Sequence, residues 1–167
     1  RQERHEAAEK AKAEHSPVDF MAFLTGKTVA ITEVPDATFA EKVLGDGIAI
    51  EPVDNILVSP VDAVVEQTME GSNHAIGLIM DNGLEILLHI GLDTVAMNGE
   101  GFTIHVAEGD RVKMGQELIT FDPEKIRAAG HPVTTIMVIT NGEGYETFRF
   151  DAGLEVKAAE NVIAHAE

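Results

Sequence analysis

Short runs of β-branched and apolar residues recur along the chain, and turn-forming residues interrupt them every few positions. Nine such runs follow Phe20: KTVAIT, GIAIEP, NILVSPV, AVVEQT, AIGLIM, LEILLHI, FTIHVA, ELITF and TTIMVIT. Runs of this length, separated by glycine, proline, asparagine or aspartate, are typical of strands in an antiparallel sandwich or barrel. The pattern therefore predicts a mostly β fold.

One segment, DPEKIRAAG, has the features of a helix with defined ends. Asp122 can cap the helix, Pro123 takes the first helical position and Gly130 follows the last turn. Proline is tolerated there because its missing N–H would have no partner inside the helix, and glycine readily adopts the left-handed conformation that ends helices. We expect one or two short helices beside the strands.

The stretch NHAIGLIMDNGLEILLHIG places His74 and His89 on either side of Asn82-Gly83. Asn-Gly between apolar runs predicts a hairpin, because both central residues of a type I′ turn need a positive φ. In a two-residue hairpin the histidines share a face as diagonal neighbours, about 7–8 Å apart at Cα. A three-residue loop would put them on opposite faces. The predicted histidine pair therefore depends on a two-residue loop.

Composition excludes several classes of partner. The formal net charge of −17 argues against nucleic acid and anionic membrane surfaces, which bind concentrated Lys and Arg. The chain has no cysteine, so thiol nucleophiles and cysteine metal sites are excluded. Because no apolar run approaches 18 residues and no secretion signal precedes the strands, we expect a cytoplasmic chain that does not span a membrane.

The first residues differ from the rest. RQERHEAAEKAKAEH holds four basic and four acidic side chains and scarcely any apolar face. We interpret residues 1–17 as a charged helical linker or tail and residues 18–167 as a single domain. A charged leading segment also favours a domain that belongs to a longer polypeptide.

Part of the second half resembles the repeated hammerhead of biotinyl and lipoyl carrier domains. The resemblance lies in AEGDRVKMGQELITF, and SPVDAVVEQTMEG has a similar arrangement of turn residues before a short β-branched run. Carrier domains need a modifiable lysine at a hairpin tip, and Asn82-Gly83 has none. We therefore expect a related sandwich without a carrier function.

The stretch GLEILLHIGLDTV, from Gly83 to Val95, resembles the active-site signature of glucose-type enzyme IIA domains. These domains belong to the bacterial phosphoenolpyruvate-dependent sugar phosphotransferase system. Three more stretches agree in order: VPDATFAEKVLGDGIAI from Val34, NHA around His74, and GEGF followed by EGDRVK from Gly99. The resemblance runs from about residue 20 to the C-terminus. It implies an all-β, antiparallel β-sandwich of the duplicated hybrid, barrel-sandwich type.

The resemblance also implies a function. His89 would accept a phosphoryl group from the phosphocarrier HPr and pass it to a cysteine of a IIB domain, and the group would be carried covalently without a cofactor or metal. The IIB domain and a sugar-translocating IIC domain would lie on another chain or on the same full-length chain. In the fused case this domain would work at the inner face of the membrane.

The residues suit that chemistry. A neutral imidazole is nucleophilic near physiological pH, and a loose transition state needs donors aimed at three equatorial phosphoryl oxygens. By analogy His74 supplies one donor and Ser72 supplies another. Asp93 either orients an imidazole and balances its charge or is a turn residue. No glycine-rich phosphate loop is present, so nucleotide is not the expected donor.

A protein donor must dock closely enough to exclude water from the reaction, and such a patch is apolar with a polar rim. The resemblance places this patch around eight residues, although each apolar one could instead belong to the core. The rim would consist of Asp36 and Glu41. The apolar residues would be Phe39, Val43, Leu44, Met69, Leu87 and Val95.

Two other functions stay open at this point. A zinc hydrolase could use His74, His89 and Asp93, because lysostaphin-type peptidases share the hybrid sandwich. Those peptidases also carry a His-x-His pair, which this sequence lacks. The two histidines could instead bind zinc with a third ligand from a partner. The other function is a regulatory module whose phosphorylation state controls permeases or kinases.

Overall fold

The computed structural model describes residues 16–167, so the segment expected over residues 1–17 lies almost entirely outside the described residues. Fourteen strands and two short α-helices make up this part of the chain. None of the helices within it has the length and apolar character needed to cross a membrane.

The strands are short and follow one another closely. Each of the nine predicted runs contains a strand, and the other five strands lie outside those runs. The bounds are β1 (Val18–Met21), β2 (Gly26–Ala30), β3 (Asp46–Pro52), β4 (Ile56–Val58), β5 (Ala63–Thr68), β6 (Ala75–Ile79), β7 (Glu85–Ile90), β8 (Phe102–Ile104), β9 (Arg111–Val112), β10 (Glu117–Phe121), β11 (Thr135–Ile139), β12 (Phe148–Phe150), β13 (Glu155–Val156) and β14 (Val162–Ala166).

The strands form three antiparallel sheets. The largest has the order β13-β2-β3-β11-β7-β6-β5-β9, and two three-stranded sheets have the orders β1-β14-β12 and β4-β10-β8. The pairings recorded between these strands are antiparallel throughout. The predicted all-β sandwich is therefore confirmed.

The helices are short connections outside the sheets. Helix α1 spans Ala37–Ala40 and helix α2 spans Pro123–Ala128. In α2 the Asp122 carboxylate accepts hydrogen bonds from the N–H groups of Glu124 and Lys125, and Gly130 has a φ of 89°. The predicted helix and both of its end signals are confirmed.

Two apolar clusters lie on opposite faces of the large sheet. In β7, Ile86, Leu88 and Ile90 are buried in the main core, and each such side chain contributes about 1.5–3 kcal/mol. Leu87 and His89 alternate with them and point to the outer face. A smaller group of side chains, here called the outer cluster, covers part of that face: Ile31, Val34, Phe39, Ala49, Leu92, Ile136 and Val138.

The β6–β7 hairpin corrects the predicted loop length. Strand residues pair as Ile79 with Glu85, and the Met80 N–H donates to the Leu84 carbonyl at 2.8 Å. Three residues, 81–83, therefore form the loop, with Gly83 at a φ of 93°. Asn-Gly suits this loop as well as the two-residue type, because only its glycine must adopt the left-handed conformation.

Candidate active site

His89 lies near the end of β7, in the middle of the large sheet. Its strand neighbours are Ala75 of β6 and Ile136 of β11, directly opposite on either side. Because both flanking strands are hydrogen-bonded to β7, the backbone beneath the imidazole is held on two sides. The small side chain of Ala75 leaves space beside the ring on the outer face.

Helix α1 covers one side of the His89 imidazole. The Phe39 ring lies 5.1 Å from the His89 ring, centroid to centroid, at an angle of 58°. Phe39 is fixed there by the outer cluster and by the start of α1, where the Asp36 carboxylate accepts a hydrogen bond from the Thr38 N–H at 2.9 Å. The imidazole therefore has an apolar wall on this side.

A single hydrogen bond sets the tautomer of His89. Its Nδ1 lies 2.9 Å from the carbonyl oxygen of Gly91. A carbonyl oxygen only accepts hydrogen bonds, so Nδ1 carries the proton and donates it. In the neutral imidazole the lone pair is then on Nε2, which is the nitrogen available for attack.

His74 meets His89 edge to face. The two ring centroids are 4.7 Å apart and the rings are at 86°. The Nδ1 of His74 lies 2.9 Å from the Ser72 hydroxyl, which is also 3.3 Å from the Met69 carbonyl. Among residues 16–167, neither histidine has a hydrogen bond at Nε2. Two unengaged ring nitrogens therefore belong to one site.

The histidines meet although the three-residue loop was expected to separate them. The observed register pairs His89 with Ala75, so regular alternation would send His74 to the other face. His74, however, precedes the first residue of β6 and follows Asn73, whose φ is 52°. Strand alternation therefore does not extend to His74. The predicted histidine pair is present because the chain turns just before β6, and not because the loop has two residues.

Burial keeps both imidazoles neutral at neutral pH. It lowers the pKa of His74, and together with the charge of His74 it lowers the pKa of His89 from 6.5 to about 4. The Gly91 carbonyl and the carboxylates of Asp36 and Asp93 act in the opposite direction but do not outweigh burial. His89 therefore keeps its nucleophilic lone pair throughout the physiological pH range.

Asp93 acts on His89 through its charge. It precedes a 3-10 turn over Thr94–Met97, has a φ of 59°, is exposed and makes no side-chain capping bond to the turn. Within the described residues no three His, Asp or Glu side chains form a group able to hold a metal ion, so Asp93 does not complete a three-ligand site with His74 and His89. The zinc hydrolase lacks a ligand set in this part of the chain.

Four of the expected docking residues line one groove on the outer face. Val43, Leu44, Met69 and Leu87 surround a groove of about 340 Å³ whose floor includes Gly77. Val43 is 68% exposed and Leu44 is 40% exposed, so two adjacent apolar side chains face solvent at the groove. The structure therefore brings apolar side chains from separate segments together on the outer face, and polar side chains line the same groove: Glu66, Gln67, Glu85 and Thr140.

None of the other four expected docking residues lines this groove. Phe39 is buried in the outer cluster and contacts His89. Val95 is 57% exposed on the turn after β7. Asp36 is partly exposed and caps α1, whereas Glu41 is exposed just after α1.

Several features of the site were missed from sequence. The Gly91 carbonyl accepts a hydrogen bond from His89, and the small residues Ala75 and Gly77 lie opposite His89 and Leu87. Two sequence signals pointed to these features: Gly91 directly follows His89-Ile90, and the small residues Ala75 and Gly77 alternate along β6. Neither identifies a hydrogen bond until the register is known.

The comparisons with known proteins identify the family. Residues 18–145 match the family model described as phosphoenolpyruvate-dependent sugar phosphotransferase system, EIIA 1. The chain is 47% identical over 134 residues to a PTS system glucose-specific EIIA component of Bacillus cereus, covering 80% of this chain and 81% of that protein. The glucose permease IIA structure from Mycoplasma capricolum superposes with a TM-score of 0.82 at 34% identity, covering 90% of this chain and 96% of that one.

Longer relatives contain a similar segment. A glucose-specific EIICBA component of Streptococcus pneumoniae is 42% identical over 142 residues, which are 85% of this chain and 19% of that protein. A mannose-specific EIIBCA component of Corynebacterium glutamicum is 47% identical over 135 residues, which are 81% of this chain and 20% of that protein. The chain therefore belongs to the EIIA family of the phosphoenolpyruvate-dependent sugar phosphotransferase system, whose members are phosphotransferase components that carry the phosphoryl group on histidine without a cofactor.

Proposed function

We propose that His89 receives a phosphoryl group from phosphorylated HPr and passes it to a cysteine of a IIB domain during sugar uptake. The observation that carries this proposal is the asymmetry of the His89 ring: Nδ1 is bonded to the Gly91 carbonyl and Nε2 has no hydrogen bond within residues 16–167. No proton has to leave His89 before attack, because Nε2 already holds the lone pair.

In the first step the Nε2 lone pair forms a bond to phosphorus, and the bond from phosphorus to the nitrogen of HPr breaks. The Nδ1 proton stays on His89, so the phosphorylated ring is a cation paired with the phosphoryl dianion. A cationic imidazole is a good leaving group. In the second step a thiolate of the IIB domain attacks phosphorus, and the electrons of the P–N bond return to Nε2.

His74 would stabilise the phosphoryl oxygens. Its ring lies against His89 at 4.7 Å, and its Nε2 has no partner among the described residues. The Ser72 hydroxyl has one proton, which points either to the Met69 carbonyl at 3.3 Å or to Nδ1 of His74 at 2.9 Å. When it is donated to Nδ1, the proton of the neutral His74 ring is on Nε2 and can be donated to an equatorial oxygen. Ser72 thus acts through His74, at 2.9 Å, and not as a direct donor.

The groove of Val43, Leu44, Met69 and Leu87 would dock both partners, with Glu41 at the polar rim. Water must leave the site before the loose transition state forms, and an apolar patch that includes Leu87, two residues before His89 on β7, would exclude it at little cost. We also propose that residues 18–167 form the EIIA unit, since β1 begins at Val18 and the family match starts at the same residue. The choice of sugar would belong to the membrane component.

The test is labelling with phosphoenolpyruvate, enzyme I and HPr, followed by intact mass and peptide mapping. We expect one added phosphoryl group, about 80 Da, on the peptide that carries His89, and its loss after brief acid treatment. His105→Gln is the matched control. His105 directly follows β8, is exposed and is hydrogen-bonded to the Thr120 hydroxyl. Labelling that survives His89→Gln would overturn the proposal.

A further inference from the structure

The turn after β7 determines which nitrogen of His89 carries the proton. Gly91 has a φ of 75°, which brings its carbonyl back to the Nδ1 of a ring two residues earlier. A change in the direction of this carbonyl would release the Nδ1 proton and allow the other tautomer, in which Nε2 is protonated and cannot attack. Contacts that fix the conformation of this turn therefore also fix the tautomer of His89.

Both ends of the peptide unit that joins Ile90 to Gly91 are hydrogen-bonded. The Gly91 N–H donates to the Thr134 carbonyl at 3.0 Å, and the Ile90 carbonyl accepts from the Thr94 hydroxyl at 2.5 Å. Because a peptide unit is planar, fixing its two ends fixes its plane. The next peptide unit, which carries the Gly91 carbonyl, is held at its other end by the Leu92 N–H, which donates to the Pro132 carbonyl at 3.2 Å. The direction of the Gly91 carbonyl then depends on that bond and on the conformation of Gly91.

The Thr94 methyl group restricts that conformation. Thr94 is fully buried, and a Cβ built at Gly91 would lie 2.4 Å from Thr94 Cγ2. The hydrogen that glycine has in place of a side chain therefore packs against the methyl. Thr94 thus contacts the turn twice, with its hydroxyl on one carbonyl and its methyl on the glycine.

We propose that Thr94 is a positioning residue for phosphoryl transfer, an inference that rests on the proposed function of His89. Thr94 does not touch the reacting atoms. Its hydroxyl fixes the peptide plane before Gly91, so that the Gly91 carbonyl keeps the proton on Nδ1 of His89 and the lone pair on Nε2. Removal of the hydroxyl leaves a buried carbonyl without this donor and loosens the turn.

The variants separate this role from a general loss of stability. Thr94→Val removes the hydroxyl and keeps the shape, whereas Thr94→Ser keeps the hydroxyl. Thr135→Val is the matched control, because Thr135 is equally buried, lies opposite Ile90 and donates its hydroxyl to the Val133 carbonyl at 2.9 Å. If Thr94→Val does not fold, Thr94→Ala tests the same loss of the hydroxyl with less steric demand.

The first readout is the imidazole nitrogen spectrum of His89, measured by long-range ¹H–¹⁵N NMR near pH 7. We expect the Nδ1–H tautomer in wild type, Thr94→Ser and Thr135→Val, and a clear population of the Nε2–H tautomer in Thr94→Val. An unchanged tautomer in the folded hydroxyl-free variant would overturn the proposal.

The second readout is the kinetics of phosphoryl acceptance from phosphorylated HPr. We expect kcat of Thr94→Val to fall about fivefold with KM unchanged, and Thr94→Ser to restore it. Equal losses in Thr94→Val and Thr135→Val would assign the effect to stability and contradict a positioning role. If wild-type His89 is not labelled, the proposed relay is refuted. The tautomer measured by NMR is independent of that outcome, because it requires no phosphorylation.

Discussion

The two ends of the β6–β7 hairpin use polar side chains in opposite ways. At the loop end, Asn82 donates to the Tyr145 hydroxyl at 2.7 Å and accepts from the Leu84 N–H at 3.0 Å. Asn141 is buried beside the loop, accepts from the Glu85 N–H at 2.7 Å and donates to the Gly83 carbonyl at 2.9 Å. Both ends of each amide group are hydrogen-bonded.

At the other end each histidine is bonded through one ring nitrogen. His89 donates to Gly91 and His74 contacts Ser72, and both Nε2 atoms lack a hydrogen bond among residues 16–167. Fully bonded polar groups stabilise a fold, whereas a buried group with unused bonding capacity is available to a ligand or a reaction. This difference, more than the presence of histidine, is the reason for proposing the histidine end as the reactive one.

The largest expected effect is that of His89→Gln. Glutamine has no nucleophilic ring nitrogen, so we expect phosphoryl incorporation from phosphoenolpyruvate, enzyme I and HPr to fall below detection. Intact mass measures the loss, and circular dichroism checks that the variant is folded. Incorporation at the wild-type rate would mean that the reactive group lies elsewhere.

His74→Ala is expected to separate the two transfer steps. His89 should still accept the phosphoryl group, because its nucleophilic nitrogen is unchanged. Onward transfer to a IIB domain should slow about 100-fold, the usual cost of losing one donor to a developing oxyanion. Rapid-quench measurement of each step tests this. Equal slowing of both steps would argue against a role that is specific to the onward transition state.

Asn141→Ala tests the loop end. It removes two buried hydrogen bonds and leaves the Glu85 N–H and the Gly83 carbonyl without these partners, so we expect the free energy of unfolding to fall by about 2–3 kcal/mol. Urea unfolding measures the change. Phosphoryl incorporation should stay at the wild-type level below the melting temperature. A loss of phosphoryl incorporation without a loss of stability would show that the loop end also contributes to the reaction.

Stability should also depend on pH through His89. The pKa of His89 is about 4 in the folded protein and about 6.5 in the unfolded chain, so between these values the unfolded chain binds the extra proton. The stability from a neutral His89 is fully present above pH 6.5 and is lost as the pH falls to 4. Between pH 6.5 and 4 we therefore expect the free energy of unfolding to fall by about 2 kcal/mol more in the wild type than in His89→Gln, allowing for partial exposure of the ring. Parallel pH curves of the two proteins would contradict the assigned pKa.

Leu44→Asp is the smallest of these effects. A charge in the groove should raise KM for phosphorylated HPr about tenfold and leave kcat unchanged, because docking is weakened before any chemistry. Leu154→Asp is the control: Leu154 is 46% exposed, against 40% for Leu44, and does not line the groove. Similar KM values for Leu44→Asp and Leu154→Asp would show that the groove is not the docking surface for phosphorylated HPr.

Local sequence was sufficient for nine of the fourteen described strands, helix α2 and the hairpin, because each depends on neighbours in the chain. The loop length was not predictable, since Asn82-Gly83 fits both loop types and the choice changes the register by one residue. The histidine pair was predicted through the wrong register and is present because alternation stops before β6. The groove is lined by residues from five segments of the chain, so its shape could not be predicted from any one of them.

The most direct test of the central claim is to locate the phosphoryl group on the ring. The histidine-¹⁵N-labelled protein is phosphorylated through enzyme I and HPr and examined by long-range ¹H–¹⁵N and ³¹P NMR. The geometry predicts the phosphoryl group on Nε2 of His89, with the proton retained on Nδ1. A phosphoryl group on Nδ1 of His89, or on any other histidine, would contradict it.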